Sequence, residues 1–140
     1  KFAGAPVLWK SKLQTENVLS TIEAEYVALS TALRDFIPMK ELIVELSNAV
    51  GLEPSRIASI KSTVWEEDNE GCRKLANLEM PRMTPRSKHY AIKYHWFRTH
   101  LEPNGNVIER VDSSNNIADL FTKGLVGEKF KMLRKLLCGW

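Results

Sequence analysis

Val18-Leu19-Ser20-Thr21-Ile22-Glu23-Ala24-Glu25-Tyr26-Val27-Ala28-Leu29 decides the fold class, because a strand-like pattern gives way to a helical one inside a single stretch. Val18-Leu19 matches the β-like run Val7-Leu8-Trp9 across polar residues 10–17, which predicts a hairpin or the ends of two strands. Ser20 and Glu23 then take the S-x-x-E form of a capping box, with Ser20 as N-cap and Glu23 at N3. Beyond it Ile22, Leu29 and Leu33 fall at helical spacing, as do Leu42, Ile43, Leu46 and Val50 after Pro38. Pro38 predicts a kink or the start of a second helix, and Gly51 a C-terminal stop.

The alternation continues outward from there. Ser59 to Trp65 is rich in β-branched residues and predicts a buried strand. It runs into Glu66-Glu67-Asp68-Asn69 and then a short helix through Leu75 and Leu78. Pro81 and Pro85 bracket a loop, and a helix from about Lys88 to Leu101 carries Tyr90, Tyr94, Phe97 and Leu101 on one stripe. Pro103-Asn104-Gly105 is a turn signal before a strand at Val107 to Val111. Asn115 or Asn116 opens a helix through Phe121, and Phe130, Leu133, Leu136 and Leu137 mark a final amphipathic helix. Strands alternating with helices predict an α/β sheet in a single domain over residues 1–140.

With 44% hydrophobic and 26% charged residues, the composition is that of an ordinary globular domain. A formal charge of +3 is too mild by itself to imply a polyanionic partner. Cys72 and Cys138 match no metal or redox spacing and read as two reduced, cytosolic thiols. No signal peptide and no apolar run of membrane-spanning length is present, so no membrane partner is expected. The chain opens at Lys1 without Met, and it is expected to be a piece of something longer.

Three acids stand inside or beside apolar stretches: Glu25, Asp68 and Asp119. Buried charge is costly unless paired or bound to metal, so acids on three separate elements suggest a convergent cation site. Each also has an ordinary explanation. Glu25, with Ile22 and Leu29 at i−3 and i+4, falls on the apolar face or at its exposed edge. Asp68 ends a strand and could cap the next helix. Asp119 lies near a helix N-terminus, where the dipole favours a carboxylate.

Between Arg82 and His100 lie Arg82, Arg86, Lys88, Lys93 and Arg98, all three histidines and no acid, interleaved with aromatics. This reads as a phosphate-tracking nucleic-acid surface, with Arg86 and Lys88 as principal contacts, Lys93 beside them, and His89 either orienting a phosphate or capping an element. Tyr90, Tyr94 and Phe97 read as core. The histidines lack metal-like spacing, which argues against zinc.

These motifs carry a resemblance. Ser20 to Ser30 is similar to the S-S-T-E-A-E-Y-x-A-L-S motif of the ribonuclease H domain that ends copia-type retrotransposon polyproteins. Arg86 to Arg98 resembles that family's R-(S/T)-K-H-I-x-(I/V)-(R/K)-Y-H-x-(I/V)-R, and Asn116 to Lys123 its Q-x-A-D-(I/L)-(F/L)-T-K. Trp9-Lys10-Ser11-Lys12 matches as well, so the resemblance covers essentially the whole chain.

The resemblance implies an RNase H-like mixed sheet flanked by helices, and cleavage of the RNA strand of RNA–DNA hybrids during reverse transcription. It implies two Mg²⁺ (or Mn²⁺) ions held by four acids, of which Glu25, Asp68 and Asp119 match three. Such ions activate a water and stabilise the leaving oxygen of an in-line displacement. The implied partners are the hybrid, gripped by Arg86, Lys88, His89 and Lys93, and the reverse transcriptase domain of the same polyprotein. The implied setting is the cytoplasmic virus-like particle of the element.

Two departures stand out. The family's first catalytic aspartate sits on an opening strand, and nothing of the kind lies before Trp9. The domain is therefore expected to be incomplete at its N-terminus, lacking the first strand or strands, and this polypeptide alone to be inactive. Glu67 also stands where the family has a small residue or Cys, and its charge is expected to disturb the metal geometry. Two other readings compete: a non-catalytic nucleic-acid-binding module of the same fold, and a decayed relic without activity.

Overall fold

The computed structural model describes residues 4–15, 17–61, 63–78, 95–101 and 105–139. Their order is α1 (Thr21–Ala49), α2 (Pro54–Lys61), β1 (Thr63–Glu67), α3 (Glu70–Ala76), a 3₁₀ turn (Trp96–His100), β2 (Asn106–Arg110), α4 (Asp119–Thr122) and α5 (Gly127–Cys138). The class is α/β. The described strands form a two-stranded parallel sheet, in register from Thr63 opposite Asn106 to Glu67 opposite Arg110. Two compact units result, one spanning 17–110 and the other joining the N-terminal stretch to the residues from 111 onward.

The capping box forms as its residue types require. Ser20 Oγ accepts from Glu23 N–H at 3.2 Å, while Glu23 Oε2 reaches back to the N–H of Leu19 at 2.8 Å. At the far end Gly51 takes φ +71°, a left-handed conformation that glycine adopts without strain. Its N–H bonds to the carbonyl of Asn48 and that of Leu52 to Ser47, closing a Schellman motif.

Several expectations are corrected. No hairpin forms around residues 10–17: 6–15 and 17–20 carry no strand. α1 runs through Pro38 as one helix. Pro38 and Arg34 are both solvent-exposed, so water can satisfy the carbonyl that proline leaves without a donor. The apolar run from Leu42 to Val50 does not bury a stripe, since Leu42, Leu46 and Val50 are exposed and Ser47 faces inward. Ser59–Lys61 belongs to α2, which Pro54 opens at its first position, so the strand starts only at Thr63 and exposes Val64. The late helix begins at Asp119 rather than Asn115 or Asn116. The Asn116 side chain instead accepts from the N–H of Ala118 at 3.0 Å and holds a turn there.

The core of the 17–110 unit joins Tyr26, Val27, Leu33 and Ile37 of α1 to Cys72, Leu75 and Ala76 of α3, with Phe97, Leu101 and Ile108. Each large apolar side chain enclosed there contributes about 2 kcal/mol. Phe97 and Leu101 thus lie in the core as their stripe predicts, although the described end of that segment is a 3₁₀ turn. Polar ties fix the packing. Asn106 Oδ1 accepts from Lys40 Nζ at 2.6 Å and Trp65 Nε1 at 3.3 Å, and Asn77 Nδ2 donates to the carbonyl of Ile108 at 3.1 Å.

In the other unit Ser11 Oγ donates to the carbonyl of Phe121 at 2.7 Å, tying the N-terminal stretch to α4. On α5 Leu133 is buried, whereas Phe130, Met132 and Leu136 are exposed, so the predicted apolar face is only partly covered. Among the described residues no helix is long and apolar enough to cross a membrane.

Candidate functional site

Glu25 leaves the second turn of α1 into solvent, beside the inward-facing Tyr26 and Val27. Its place on an apolar face is therefore corrected: Ile22 is itself exposed, and the buried face runs through Tyr26, Val27, Ser30 and Leu33. Asp68 follows the last residue of β1 and is half-buried. It does not cap α3. That role belongs to Asn69, whose side chain accepts from the N–H of Cys72 at 3.0 Å.

The buried acid of this region is Glu67, 7% exposed. Its Oε1 accepts from the N–H of Asn69 at 2.9 Å. Burial pushes the Glu67 carboxyl above the usual carboxylate range, and the charges of Glu25 and Asp68 add to the rise. Cys72 is wholly buried; its thiol is pushed up by burial and then by Glu67, Glu25 and Asp68. Glu25, Glu67, Asp68 and Cys72 therefore act on one another electrostatically, so two of the three predicted acids are brought into one neighbourhood.

A glycine makes the neighbourhood close. A Cβ on Gly71 would lie 2.6 Å from Cδ1 and 2.9 Å from Cγ1 of Ile22. The missing side chain lets the first turn of α3 approach the first turn of α1, which draws the strand end towards Glu25. Nothing in the local pattern distinguished Glu67 as the inward acid except its alternation with the exposed Val64 and Glu66 along β1.

Asp119 lies in the other unit and is 2% exposed at the first position of α4. Lys123 Nζ stands 2.8 Å from its Oδ1 and Lys129 Nζ 3.0 Å from its Oδ2, while Lys129 also donates to the carbonyl of Ser113 at 3.0 Å. Burial raises the Asp119 carboxyl, but the two lysines outweigh it and hold the group below its ordinary value. The charge is thus compensated from within its own unit.

Among the described residues no three His, Cys, Asp or Glu side chains are grouped so as to hold a metal ion. Arg86, Lys88, His89 and Lys93 lie outside the described residues, with Arg82, Tyr90, Tyr94, Pro81, Pro85 and the Pro103-Asn104 turn.

No family model and no solved structure matches the chain. It is 30% identical over 136 residues to the retrovirus-related Pol polyprotein from transposon TNT 1-94 of Nicotiana tabacum, covering 97% of this chain and 9% of that protein. The corresponding polyprotein from transposon RE1 of Arabidopsis thaliana is 31% identical over 127 residues, 90% of this chain and 8% of the relative. That from RE2 of the same plant is 31% identical over 121 residues, 86% of this chain and 8% of the relative. The homologues are thus retrovirus-related Pol polyproteins of plant transposons. The chain spans less than a tenth of the length of the curated relatives it matches.

Proposed function

We propose that this chain is the ribonuclease H segment of a copia-type retrotransposon Pol polyprotein, acting on the RNA strand of RNA–DNA hybrids during reverse transcription. The observation that carries the reading is the similarity to Pol polyproteins along 97% of the chain, taken with the motifs around Glu25, Asp68 and Asp119. The RNase H-like mixed sheet is part of this proposal, to which the parallel pair β1 and β2 belongs.

Glu25 and Asp68 would hold Mg²⁺ or Mn²⁺ from the 17–110 unit, and Asp119, the third acid of the motifs, would serve as a ligand by exchanging a lysine of its own unit for an ion. When bound, two such ions supply a metal-activated water and charge compensation for the leaving oxygen. The chain's own residues do the rest. Burial and its acidic neighbours raise the Glu67 carboxyl above its ordinary range, while its Oε1 accepts from the N–H of Asn69 and holds the turn into α3. Arg86, Lys88, His89 and Lys93 would track hybrid phosphates, and the ribose 2′-hydroxyls would distinguish RNA from DNA. The reverse transcriptase domain of the polyprotein and its virus-like particle are the proposed partner and setting.

The test is Mg²⁺-dependent cleavage of a labelled RNA–DNA hybrid by the Pol polyprotein carrying this segment. Glu25→Gln and Asp68→Asn are each expected to lower the rate at least about a hundredfold, an effect of about 3 kcal/mol. Arg86→Ala with Lys88→Ala should weaken hybrid binding and reduce its salt slope by about two. Full cleavage by Glu25→Gln would refute the reading. A second reading, a hybrid-binding module without catalysis, is favoured by the double lysine clamp on Asp119. It predicts the same salt-dependent binding with no dependence on metal or on Glu25.

A further inference from the structure

The side of α1 opposite Glu25 is held by a polar seam. Tyr26 and His95 are both enclosed, 0% and 1% exposed, and the Tyr26 hydroxyl meets His95 Nδ1 at 2.8 Å. One turn further along α1, the buried Ser30 Oγ accepts from Trp96 Nε1 at 3.1 Å. Phe97 completes the seam, its ring tilted against Tyr26 at 5.3 Å between centroids. Three consecutive residues, His95, Trp96 and Phe97, therefore engage Tyr26 and Ser30, one turn apart on α1.

Apolar side chains could fill this volume. A buried phenol and imidazole are costly unless hydrogen-bonded, and unlike apolar contacts the bond between them has a direction. A slip of one residue in the rotation of α1 would swing Glu25 by about 100°. The rings could accommodate part of such a rotation; the 2.8 Å bond could not. Among the described residues, the titratable and charged groups facing the imidazole are Tyr26 from α1 and Arg98 from its own turn. Arg98 is buried too and donates to the carbonyl of Leu78, beyond the end of α3. Burial first, and Arg98 second, hold the imidazole neutral.

We propose that His95 is a positioning residue for Glu25: through Tyr26 it fixes the rotation of the first turns of α1, and so the direction in which the Glu25 carboxylate leaves the helix. The importance of that direction rests on Glu25 being a metal ligand; the rotation itself does not.

Tyr26→Phe in the full chain keeps the ring and deletes the bond. Amide hydrogen exchange at Glu25, Tyr26 and Val27 should quicken about tenfold, with Leu46, Ser47 and Asn48 of the same helix unchanged. His95→Leu should reproduce this pattern, and His95→Gln, which keeps a polar partner, should stay within about threefold of the parent. Mn²⁺ affinity, read by electron paramagnetic resonance, should fall about tenfold in Tyr26→Phe. Unchanged exchange, or equal quickening at both ends of α1, overturns the proposal. If the parent binds no Mn²⁺ the metal reading of Glu25 fails, while the exchange pattern still decides the positioning role. If Mn²⁺ binds equally to parent and Tyr26→Phe, the positioning role fails and the metal reading stands.

Discussion

Glu67 and Asp119 are both carboxylates enclosed by the fold, and the chain treats them in opposite ways. Glu67 sits with like charges: Glu25 and Asp68 push its carboxyl up after burial has already done so. Asp119 sits with two lysines that overcome burial and pull its carboxyl down. Burial alone therefore does not decide the state of an acid; the charge that its own element and neighbours present decides it. The first environment gathers like charge around Glu67. The second already has its cations, as lysines.

The largest effect should come from stripping the second environment. Lys123→Met with Lys129→Met leaves an enclosed carboxylate without compensation. Breaking a buried pair costs about 3–5 kcal/mol, which the partial exposure of both lysines, 54% and 37%, reduces to about 2 kcal/mol here. Urea unfolding at neutral pH measures it. The sign with pH follows from the lowered carboxyl: its stabilisation is present above the ordinary value of 3.8 and is lost as pH falls through the still lower folded value. The deficit of the double variant should therefore shrink in acid. Equal stability of variant and parent at pH 7 would show that the lysines do not hold Asp119.

Glu67→Gln should act in the opposite direction. Glutamine keeps an oxygen for the N–H of Asn69 and cannot ionise, so the variant is expected to be about 1 kcal/mol more stable at pH 7. Because the folded carboxyl is raised, its native-state advantage is complete below the ordinary value of 4.5 and is lost as pH rises through the folded value. The gain of the variant should accordingly vanish below about pH 4.5. If Mg²⁺ binds among Glu25, Glu67 and Asp68, millimolar Mg²⁺ should shrink the gain at neutral pH as well, because the ion relieves the same repulsion. Thermal unfolding with and without Mg²⁺ reads both effects.

The contrast also explains what the sequence could and could not convey. The capping box at Ser20 and Glu23, the stop at Gly51 and the core positions Phe97 and Leu101 were legible, because each depends on local spacing. The strand before Glu66 was legible but began late: Ile60 is β-branched, yet Ser59–Lys61 belongs to the helix that Pro54 opens. The hairpin around residues 10–17 needs partners that local pattern does not supply. Among the acids, the motifs singled out Glu25 and Asp68, whereas the inward one is Glu67, and the close approach of α3 to α1 at Gly71 and Ile22 is a tertiary contact that no local pattern shows. The lysines of Asp119 were equally hidden. Lys123 lies one turn on and invites an i, i+4 pair, whereas Lys129 reaches back from α5.

The smallest effect separates the two cysteines and probes the acid neighbourhood from its apolar side. Cys72 is enclosed, and burial with three nearby carboxylates keeps its thiol protonated; Cys138 is exposed. A thiol-specific reagent at neutral pH should therefore label Cys138 at once and Cys72 about a hundredfold more slowly, through opening of the fold. Glu67→Gln leaves the thiol buried and is expected to make opening rarer, so it should not quicken labelling of Cys72. Burial would then be the principal guard of the thiol, with charge secondary. Faster labelling in the variant would mean that the Glu67 carboxylate itself guards the thiol.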